Sequence, residues 1–445
     1  MMNEREVLTR FEQELQQYCN NDVTVLKQVD ITSDMISVDA VIDYHGMIVA
    51  VIECVRDENY LAAVRRDISK IMKRAQVQLG IVITLAGKYY IRKISNTRSS
   101  AATIERIASE IKSIYSEIRE TLSPQEVKTA LLSLFEKAPK FSRKEIIRPL
   151  FEKACDSLHI ASGRISFDER DEDEIFQLIL GDKLPQDCHI CRYTTLDSLF
   201  KMIDSCKHAM CSPISMNDPD EGEYADRFMP WHVKRARGEA EIDIDNSYFL
   251  LSCSEIDKLD DLTMWRLYGD KTKGVCIEYA IESDKVDNKK YILSRVSYGQ
   301  QDKNGKEFHP ELDFISYLQS KAISFGWYFS FAKWYIWKFF FKSWNYRDEN
   351  EIRLVYIPDN SIDEEYNRIK WYKDYTNGII NRMTLIPIGL GKRTDFPLNI
   401  NRIVLGPHSP EAGRNREQIW FMMSQKAIDT TRDFIVEKST IRNYR

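Results

Sequence analysis

The stretch that most constrains the fold is residues 342–356, KSWNYRDENEIRLVY. Every second residue from 352 to 356 is apolar, which is the period of a β-strand with one buried face. The alternation places Glu351 and Arg353, with Glu349 just before them, on the opposite face. Three charges on one strand face are unusual, so we expect either a solvated face or a polar site lined by these side chains.

The segment just before this strand, residues 325–344, is the most aromatic in the chain. It is about as long as the ~20 residues that a membrane span needs. However, Lys333, Lys338 and Lys342 lie within it or near its end, and a span would hold at least one of them in the bilayer. We therefore predict a buried or groove-lining helix and no membrane association.

The chain of 445 residues is longer than one hydrophobic core usually supports, so we expect two domains and a helical connector. The net charge of -5 provides no broad basic field. The N-terminal segment is a charged amphipathic helix without the apolar core of a signal peptide. Nine cysteines in apolar surroundings fit reduced thiols. These features predict a cytoplasmic protein.

The first part of the chain, residues 1–121, has the alternating pattern of an α/β domain. Its predicted helices are residues 1–20, 59–80 and 102–121, and its predicted strands are residues 23–29, 35–44, 47–55, 81–85 and 88–94. His45 and Gly46 are the expected hairpin turn between the second and third strands.

The segment SVDAVIDYHGMIVAVIECVR, together with this order of elements, resembles the restriction-endonuclease-like fold. The N-terminal module of type I restriction motor subunits is the nearest likeness. The resemblance implies that Asp39 and Glu53 would hold Mg²⁺, with Glu14 as an acid supplied by the first helix.

One position departs from the nuclease pattern. Val55 stands where the resemblance implies a lysine, and Lys70 or Lys73 from the next helix would have to replace it. We therefore expect a noncatalytic module that senses or binds nucleic acid, and we keep an active nuclease as the alternative.

Residues 122–185 are predicted to be a helical connector. Ser123 followed by Glu126 has the spacing of a helix capping box, and Ser142 begins a similar pattern. The acidic segment 165–174 is expected to face solvent.

Residues 186–445 are predicted to form an α+β domain with a largely antiparallel sheet, because strand signals outnumber helical ones. The expected strands are residues 189–194, 248–254, 274–279, 291–298, 351–357, 384–389 and 402–405, and the expected helix is residues 195–205.

Six motifs in residues 186–410 resemble, in the same order, an uncharacterised bacterial domain family. They are RYTTLDSLF, SPISMNDPDEGEY, LSCS, MWRLYG, GVCIEY and KSWNYRDENEIRLVY. Their layout is similar to that of ADP-ribosyltransferases of the arginine, serine, glutamate class.

That class carries an arginine on a first strand, a Ser-x-Ser on a second and a Glu-x-Glu at a later strand. The matching residues here are Arg192, then Ser252 and Ser254, then Glu349 and Glu351. The resemblance implies that NAD is the substrate.

Each of these residue types suits the chemistry of NAD. An arginine fork holds a diphosphate through charge-assisted hydrogen bonds. A carboxylate beside the ribose stabilises the oxocarbenium character that develops when nicotinamide leaves. The resemblance therefore assigns diphosphate binding to Arg192, the main catalytic role to Glu351, activation of the acceptor to Glu349 and bracing of Glu351 to Ser252.

Further residues complete this candidate site. Tyr193, Trp265 and Tyr268 are candidates for stacking on nicotinamide, with Ser254 beside them. Asn217 belongs to a loop expected at the rim of the site.

Purely structural alternatives remain open for each motif. Arg192 would then pair with a surface carboxylate, and Ser252 would be an ordinary strand residue. The face that carries Glu349, Glu351 and Arg353 would then be a salt-bridged strand surface.

These patterns support three hypotheses of function. The first is an intracellular bacterial effector in antiviral defence or toxin action that transfers ADP-ribose from NAD to an unknown protein or nucleic-acid acceptor, or hydrolyses NAD. The second is a Mg²⁺-dependent nuclease whose C-terminal domain recognises a target. The third is a noncatalytic protein that binds nucleic acid or protein. The sequence leaves oligomerisation open.

Overall fold

The computed structural model describes most of the 445-residue chain. The described residues are 3–19, 22–31, 36–44, 47–75, 77–96, 98–120, 123–161, 164–182, 184–185, 188–213, 223–229, 231–233, 248–286, 290–324, 327–359, 362–373, 380–388, 394–426 and 435–441. The predicted turn at His45 and Gly46 and the predicted rim residue Asn217 lie outside them.

The chain divides into two compact units. Unit 1 comprises Met1–Ile179, Glu223–Gly238 and Phe308–Trp334, and unit 2 comprises Leu180–Gly222, Glu239–Glu307 and Tyr335–Arg445. Unit 1 thus contains the whole predicted α/β segment and nearly all of the predicted connector.

The α-helices of the described residues are numbered in chain order. They are α1 (Glu4–Cys19), α2 (Leu61–Ala75), α3 (Ile104–Glu120), α4 (Pro124–Lys137), α5 (Lys144–Ala154), α6 (Glu169–Leu180), α7 (Leu196–Ser205), α8 (Leu262–Leu267), α9 (Pro310–Ser324), α10 (Trp334–Trp337), α11 (Asp363–Asn367) and α12 (Ala412–Lys426).

The strands are numbered in the same way. They are β1 (Val23–Ile31), β2 (Ile36–Tyr44), β3 (Met47–Val55), β4 (Leu79–Thr84), β5 (Tyr89–Lys93), β6 (Ser100–Ala102), β7 (His159–Ala161), β8 (Arg164–Ser166), β9 (His189–Thr194), β10 (Lys207–Cys211), β11 (Trp231–Val233), β12 (Phe249–Glu255), β13 (Val275–Ile281), β14 (Tyr291–Arg295), β15 (Ser297–Tyr298), β16 (Gln300–Gln301), β17 (Glu307–Phe308), β18 (Tyr328–Phe329), β19 (Phe341–Lys342), β20 (Glu351–Tyr356), β21 (Ile369–Lys373), β22 (Ile380–Pro387), β23 (Leu398–Leu405) and β24 (Ile435–Lys438).

Unit 1 is built on a seven-stranded sheet in the order β11-β1-β2-β3-β4-β5-β6. Strands β3 and β4 are parallel and the other pairs are antiparallel. Helices α1 and α3 pack on one face through residues such as Phe11 and Ile111. Helix α2 packs on the other face through Ile68 and Met72. This mixed α/β architecture confirms the predicted class for the N-terminal part of the chain.

Of the two helix caps predicted for the connector, one is present and the other is not. The capping box at Ser123 is confirmed, because Ser123 and Glu126 bond each other's backbone N–H. The one at Ser142 is wrong, since α5 begins at Lys144 and the preceding Arg143 makes no side-chain cap.

The acidic segment 165–174 does not face solvent throughout. Glu172 is fully buried and accepts hydrogen bonds from the backbone N–H groups of Ala332 and Lys333, at 2.7 and 2.8 Å. Asp173 is also buried and lies 2.6 Å from the Lys333 ammonium. These carboxylates hold the 332–333 backbone, a role that composition alone does not reveal.

Unit 2 is an α+β unit around a ten-stranded sheet, as predicted for the C-terminal part. Its main path is β21-β22-β10-β12-β9-β13-β23-β24, with β20 between β12 and β14. Only β23 and β24 of this sheet, as described, pair in parallel. The main core covers one face, where α7 and α12 pack, and a smaller cluster with Met264 and Trp265 of α8 covers part of the other.

The described part of the aromatic segment, residues 327–344, is largely buried, but it is not the single helix that was predicted. It contains the short elements β18, α10 and β19. Its buried rings include Trp327, Phe329 and Trp337. Among the helices whose residues are described, none has the length and apolarity needed to cross a membrane.

Candidate functional site

The three strands that carry the predicted motifs are neighbours in the sheet of unit 2. Strand β12 lies between β9 and β20. Ser254 of β12 is directly opposite Cys191 of β9 on one side and Glu351 of β20 on the other. Residues separated by about 160 positions in the sequence are therefore brought within a three-strand span of sheet.

The serine and acidic motifs share one face of this sheet. Ser252 pairs with Arg353 and Ser254 with Glu351, and directly opposed residues point to the same side. The intervening residue Cys253 belongs to the main core on the other side. The alternation predicted for residues 352–356 is confirmed.

A cluster of buried charges occupies this face. Arg353 is fully buried, and its Nε and Nη2 atoms lie 2.8 and 2.7 Å from Glu351 Oε1. Lys342 Nζ lies 2.7 Å from Glu351 Oε2 and 3.2 Å from Glu349 Oε2. Since Glu349 and Glu351 are 9% and 3% exposed, this is neither a solvated strand face nor a surface salt bridge.

These contacts keep Glu351 ionised. Burial by itself would raise the pKa of Glu351, but the positive charges of Arg353 and Lys342 outweigh it and lower the pKa to about 2. The Ser252 hydroxyl contributes in the same direction. The Ser252 Oγ is buried and has no hydrogen-bond partner among the described residues.

Two tyrosines hold the backbone and the second carboxylate of the cluster. The Glu351 N–H donates to the Tyr298 hydroxyl oxygen at 2.9 Å. The Tyr268 hydroxyl donates a short hydrogen bond to Glu349 Oε1. Burial, and then this bond to Glu349, raise the pKa of Tyr268, so its hydroxyl remains a donor at neutral pH. Tyr268 is 42% exposed, whereas Glu349, to which it donates, is buried.

Arg192 lies where the sheet divides. Strand β12 pairs with β9 only at Ser254 and Glu255, and with β10 at Leu250. Between these points the Ser252 carbonyl accepts a hydrogen bond from Arg192 Nη1 at 2.9 Å. We call this place the fork.

Arg192 has no acidic partner among the residues with described positions, so the surface pairing considered above is not found there. A guanidinium carries five N–H donors, and the bond to Ser252 uses one of them. Arg192 is half-buried, and no described acid balances its charge.

The Arg192 side chain is on the side of β12 opposite Glu351. Arg192 lies directly opposite Ile277 of the neighbouring strand β13, and the Ile277 side chain belongs to the main core. The buried His208 lies near Arg192 on this side. Its burial, and then the positive charge of Arg192, lower the pKa of His208 to about 3. Arg192 and Glu351 therefore lie on opposite sides of β12 with Ser252 between them: the Ser252 carbonyl accepts from Arg192, and the Ser252 side chain points to the face that carries Glu351.

Two of the three predicted stacking rings are buried. Trp265 is fully buried, its Nε1–H donates to Asp260 at 2.8 Å, and its ring meets the buried ring of Tyr193 edge to face at 4.7 Å. Neither ring has an open face in this arrangement. Of the three rings, Tyr268 alone is exposed.

The loop after Tyr268 has an unusual backbone. Asp270, Lys271 and Thr272 all have positive φ, at 48°, 51° and 75°. Such conformations cost roughly 1–2 kcal/mol for a residue with a Cβ. Hydrogen bonds hold the loop, including one from the His408 N–H to the Thr272 carbonyl at 3.0 Å. Backbone strain thus accompanies the loop that positions Tyr268.

The candidate metal site of unit 1 fits Mg²⁺ poorly. Asp39 Oδ2 accepts the Cys54 N–H at 2.5 Å, and its neighbours are the Cys54 thiol and Glu4, which is also paired with Arg56. Burial raises the pKa of Asp39 to about 6 and, together with the Asp39 charge, that of Glu53 to about 8. Mg²⁺ prefers oxygen ligands, and one of the three groups that lie together here is a thiol.

The supporting residues of the nuclease pattern are also displaced. The carboxylate of α1 beside Asp39 is Glu4, whereas the predicted Glu14 accepts a hydrogen bond from Tyr89 at 3.1 Å. Lys70 and Lys73 are exposed on α2, and Lys70 pairs with its neighbour Asp67. Lys70 is therefore occupied elsewhere, and the amine that the pattern needs is not identified.

Comparison with known families gives one partial match. Residues 264–354 match a family described as protein of unknown function (DUF2971), 91 of the 445 residues. The matched segment contains Tyr268, Lys342, Glu349 and Glu351, whereas Arg192 precedes it. No curated protein and no solved structure matches the chain.

Sequence reasoning had pointed to Glu349, Glu351 and Arg353 but had missed Lys342 as their partner. The signal was the last of three lysines in the aromatic segment, seven residues before Glu349. A lysine between buried rings and a buried acidic strand has few ways to satisfy its charge other than those acids.

Proposed function

We propose that unit 2 binds NAD at the fork, breaks its nicotinamide–ribose bond and passes ADP-ribose to an acceptor or to water. The observation that carries the proposal is the contact series Arg192–Ser252–Glu351. Arg192, which has no acidic partner among the described residues, bonds the Ser252 carbonyl on one side of β12, and the Ser252 hydroxyl helps to keep the buried Glu351 ionised on the other side.

Arg192 supplies the anion site. A half-buried guanidinium with one hydrogen bond to a neutral carbonyl is poorly compensated, and a diphosphate would provide both charge and acceptors. The positive charge of Arg192 helps to lower the pKa of the buried His208, so this charge acts on other groups inside unit 2.

Glu351 supplies the stabilising charge. When the C–N bond breaks, nicotinamide leaves neutral with the bonding electron pair, and positive charge develops on the ribose. An ionised carboxylate in a buried site opposes that charge strongly. The acceptor or water then bonds to the ribose C1′ and gives up its proton, and Glu349 is the neighbouring base.

The described arrangement corresponds to a closed form of this site. Lys342 contacts Glu351 Oε2, and Tyr268 covers Glu349. Substrate binding has to move both side chains, and the strained 270–272 loop is the segment next to Tyr268 that would change. A lysine held by the two acids also mimics the positive charge that they are proposed to stabilise.

Unit 1 is proposed to be a noncatalytic nucleic-acid-sensing module, because its acidic group fits Mg²⁺ poorly. Joined to an NAD-consuming unit, it would suit an intracellular effector of bacterial defence or a toxin, by analogy with such pairings.

The anion site is tested by measuring NAD and ADP-ribose affinity by calorimetry. Arg192→Met should weaken both ligands by about tenfold or more, because a charge-assisted hydrogen bond is worth ~1.5–3 kcal/mol. Arg295→Met is the matched control, since Arg295 is also partly buried but is paired with Glu255 at 2.6 Å. Equal affinities in the two variants would contradict the assignment.

A further inference from the structure

One edge of the unit 2 sheet is a hairpin of unusual composition. It consists of β21 and β22, and β21 pairs with β22 alone among the described strands. The backbone groups on the other edge of β21 thus have no partner strand within the described chain. We call this element the edge hairpin.

Large apolar side chains are concentrated on and near the edge hairpin. Trp371 is 69% exposed, Ile380 67%, Tyr366 59% and Tyr372 41%. A single exposed apolar residue needs no explanation, but several large exposed apolar side chains on one short element suggest a binding surface.

The charge of the edge hairpin is opposite to that of the chain. Its two strands carry Lys370, Lys373 and Arg382 and no carboxylate, whereas the whole protein has a net charge of -5. The Arg382 guanidinium carbon lies 5.9 Å from the centre of the Trp371 ring. Lys370 is exposed and makes no ion pair with a described residue. Rings and cations are thus interleaved on one element.

Strand addition by a second copy fits this composition poorly. Two copies meeting through β21 would bring Lys370 and Lys373 close to their own equivalents, and lysines on an edge strand oppose such pairing. An apolar protein partner would leave these cations without counter-charges.

We propose that the edge hairpin docks single-stranded nucleic acid. Unpaired bases stack on exposed aromatic rings, and the phosphates between them lie against the cations. Trp371 and Tyr372 are consecutive in a strand and so point to opposite sides, which gives a strand passing over the edge one ring on each side. A duplex hides its base faces and would meet only the cations.

The proposal is tested on the full-length protein by fluorescence anisotropy with labelled 12-nucleotide oligo(dT), 12-nucleotide oligo(rU) and a 12-base-pair duplex. At low salt both single strands should bind more tightly than the duplex, and their ratio tells whether DNA or RNA is preferred. Trp371→Ala should weaken single-strand binding by about tenfold, and Trp371→Phe should retain most of it.

Two further variants make the test specific. Trp420→Ala removes a tryptophan that is 52% exposed on α12 and should leave affinity unchanged. Lys370→Gln should lower the slope of log affinity against log salt by about 0.7, the contribution of one phosphate contact on a single strand.

The proposal is overturned if neither oligonucleotide binds at low salt, or if Trp371→Ala and Trp420→Ala behave alike. It is also overturned if sedimentation shows a dimer that Trp371→Ala dissociates while oligonucleotides fail to bind, because the hairpin would then serve a second copy.

Discussion

Glu351 is ionised although it is buried, because Arg353 and Lys342 each place a positive nitrogen within 2.8 Å of its oxygens. Two cations and two acids are compensated in this cluster, so the loss of any one member leaves a buried charge unpaired. The energetic consequence is testable apart from any activity.

The stability of unit 2 should depend on the ionisation of Glu351. Its pKa of about 2 in the folded state lies below its ordinary value of 4.5. The stabilisation is therefore present above pH 4.5 and is lost as pH falls towards 2, and it amounts to ~3 kcal/mol. Urea unfolding of the wild type and Glu351→Gln should differ by about this amount at pH 7 and by roughly half as much at pH 3. A difference that does not change with pH would contradict the ion cluster.

At the same scale, the sequence predicted the acids but not their environment. Alternation assigned Glu351 and Arg353 to one face because side-chain period is a local property. Burial of that face depends on Lys342 and Tyr268, which come from other elements, and no local pattern shows that they meet. The burial of Trp265 and Tyr193, which were predicted to stack on a ligand, follows from the packing of α8 on the sheet.

The loop after α8 is held by close backbone approach, and Gly274 is the critical position. A Cβ on Gly274 would lie 2.2 Å from the Thr194 carbonyl oxygen, which belongs to β9 and cannot move independently of the sheet. Gly274→Ala should cost about 2 kcal/mol or more by overpacking, and it should displace Tyr268 from Glu349.

Gly413→Ala is the control for this change. Gly413 lies in α12, and its nearest neighbour is the flexible end of Lys438 at 3.6 Å. Alanine there should be neutral or stabilising by up to ~1 kcal/mol through helix propensity. Thermal unfolding of both variants decides the matter. A Gly274 variant as stable as the Gly413 variant would show that the loop is free to adjust.

Elements with a strong local signal were predicted closely. Strand β3 has the predicted bounds, and α7 covers all but the first residue of the helix predicted for residues 195–205. The aromatic segment 325–344 was predicted as a helix because of its length and its many aromatic residues, and these do not separate a buried helix from short buried strands. Which of these structures forms in that segment depends on its packing against the rest of the chain.

Two compact units were expected from length, and two are present. The sequence did not predict that segments 223–238 and 308–334 belong to unit 1. No local pattern of residues shows which unit a segment joins when the chain crosses from one unit to the other and back. The role of Glu172 in holding residues 332–333 belongs to the same long-range organisation.

The central claim concerns unit 2 as an NAD-consuming unit, and turnover tests it most directly. Purified full-length protein is incubated with NAD labelled in the nicotinamide, with and without nucleic acid as a trigger, and free nicotinamide is measured. Glu351→Gln is compared with Glu278→Gln, which removes another carboxylate that is 3% exposed in the same sheet but pairs with His189 and Arg402.

The account predicts that the wild type and Glu278→Gln release nicotinamide and that Glu351→Gln loses at least about 100-fold in rate, the scale of a lost electrostatic stabiliser. Equal turnover in Glu351→Gln and Glu278→Gln, or no turnover by the wild type in either condition, would contradict it.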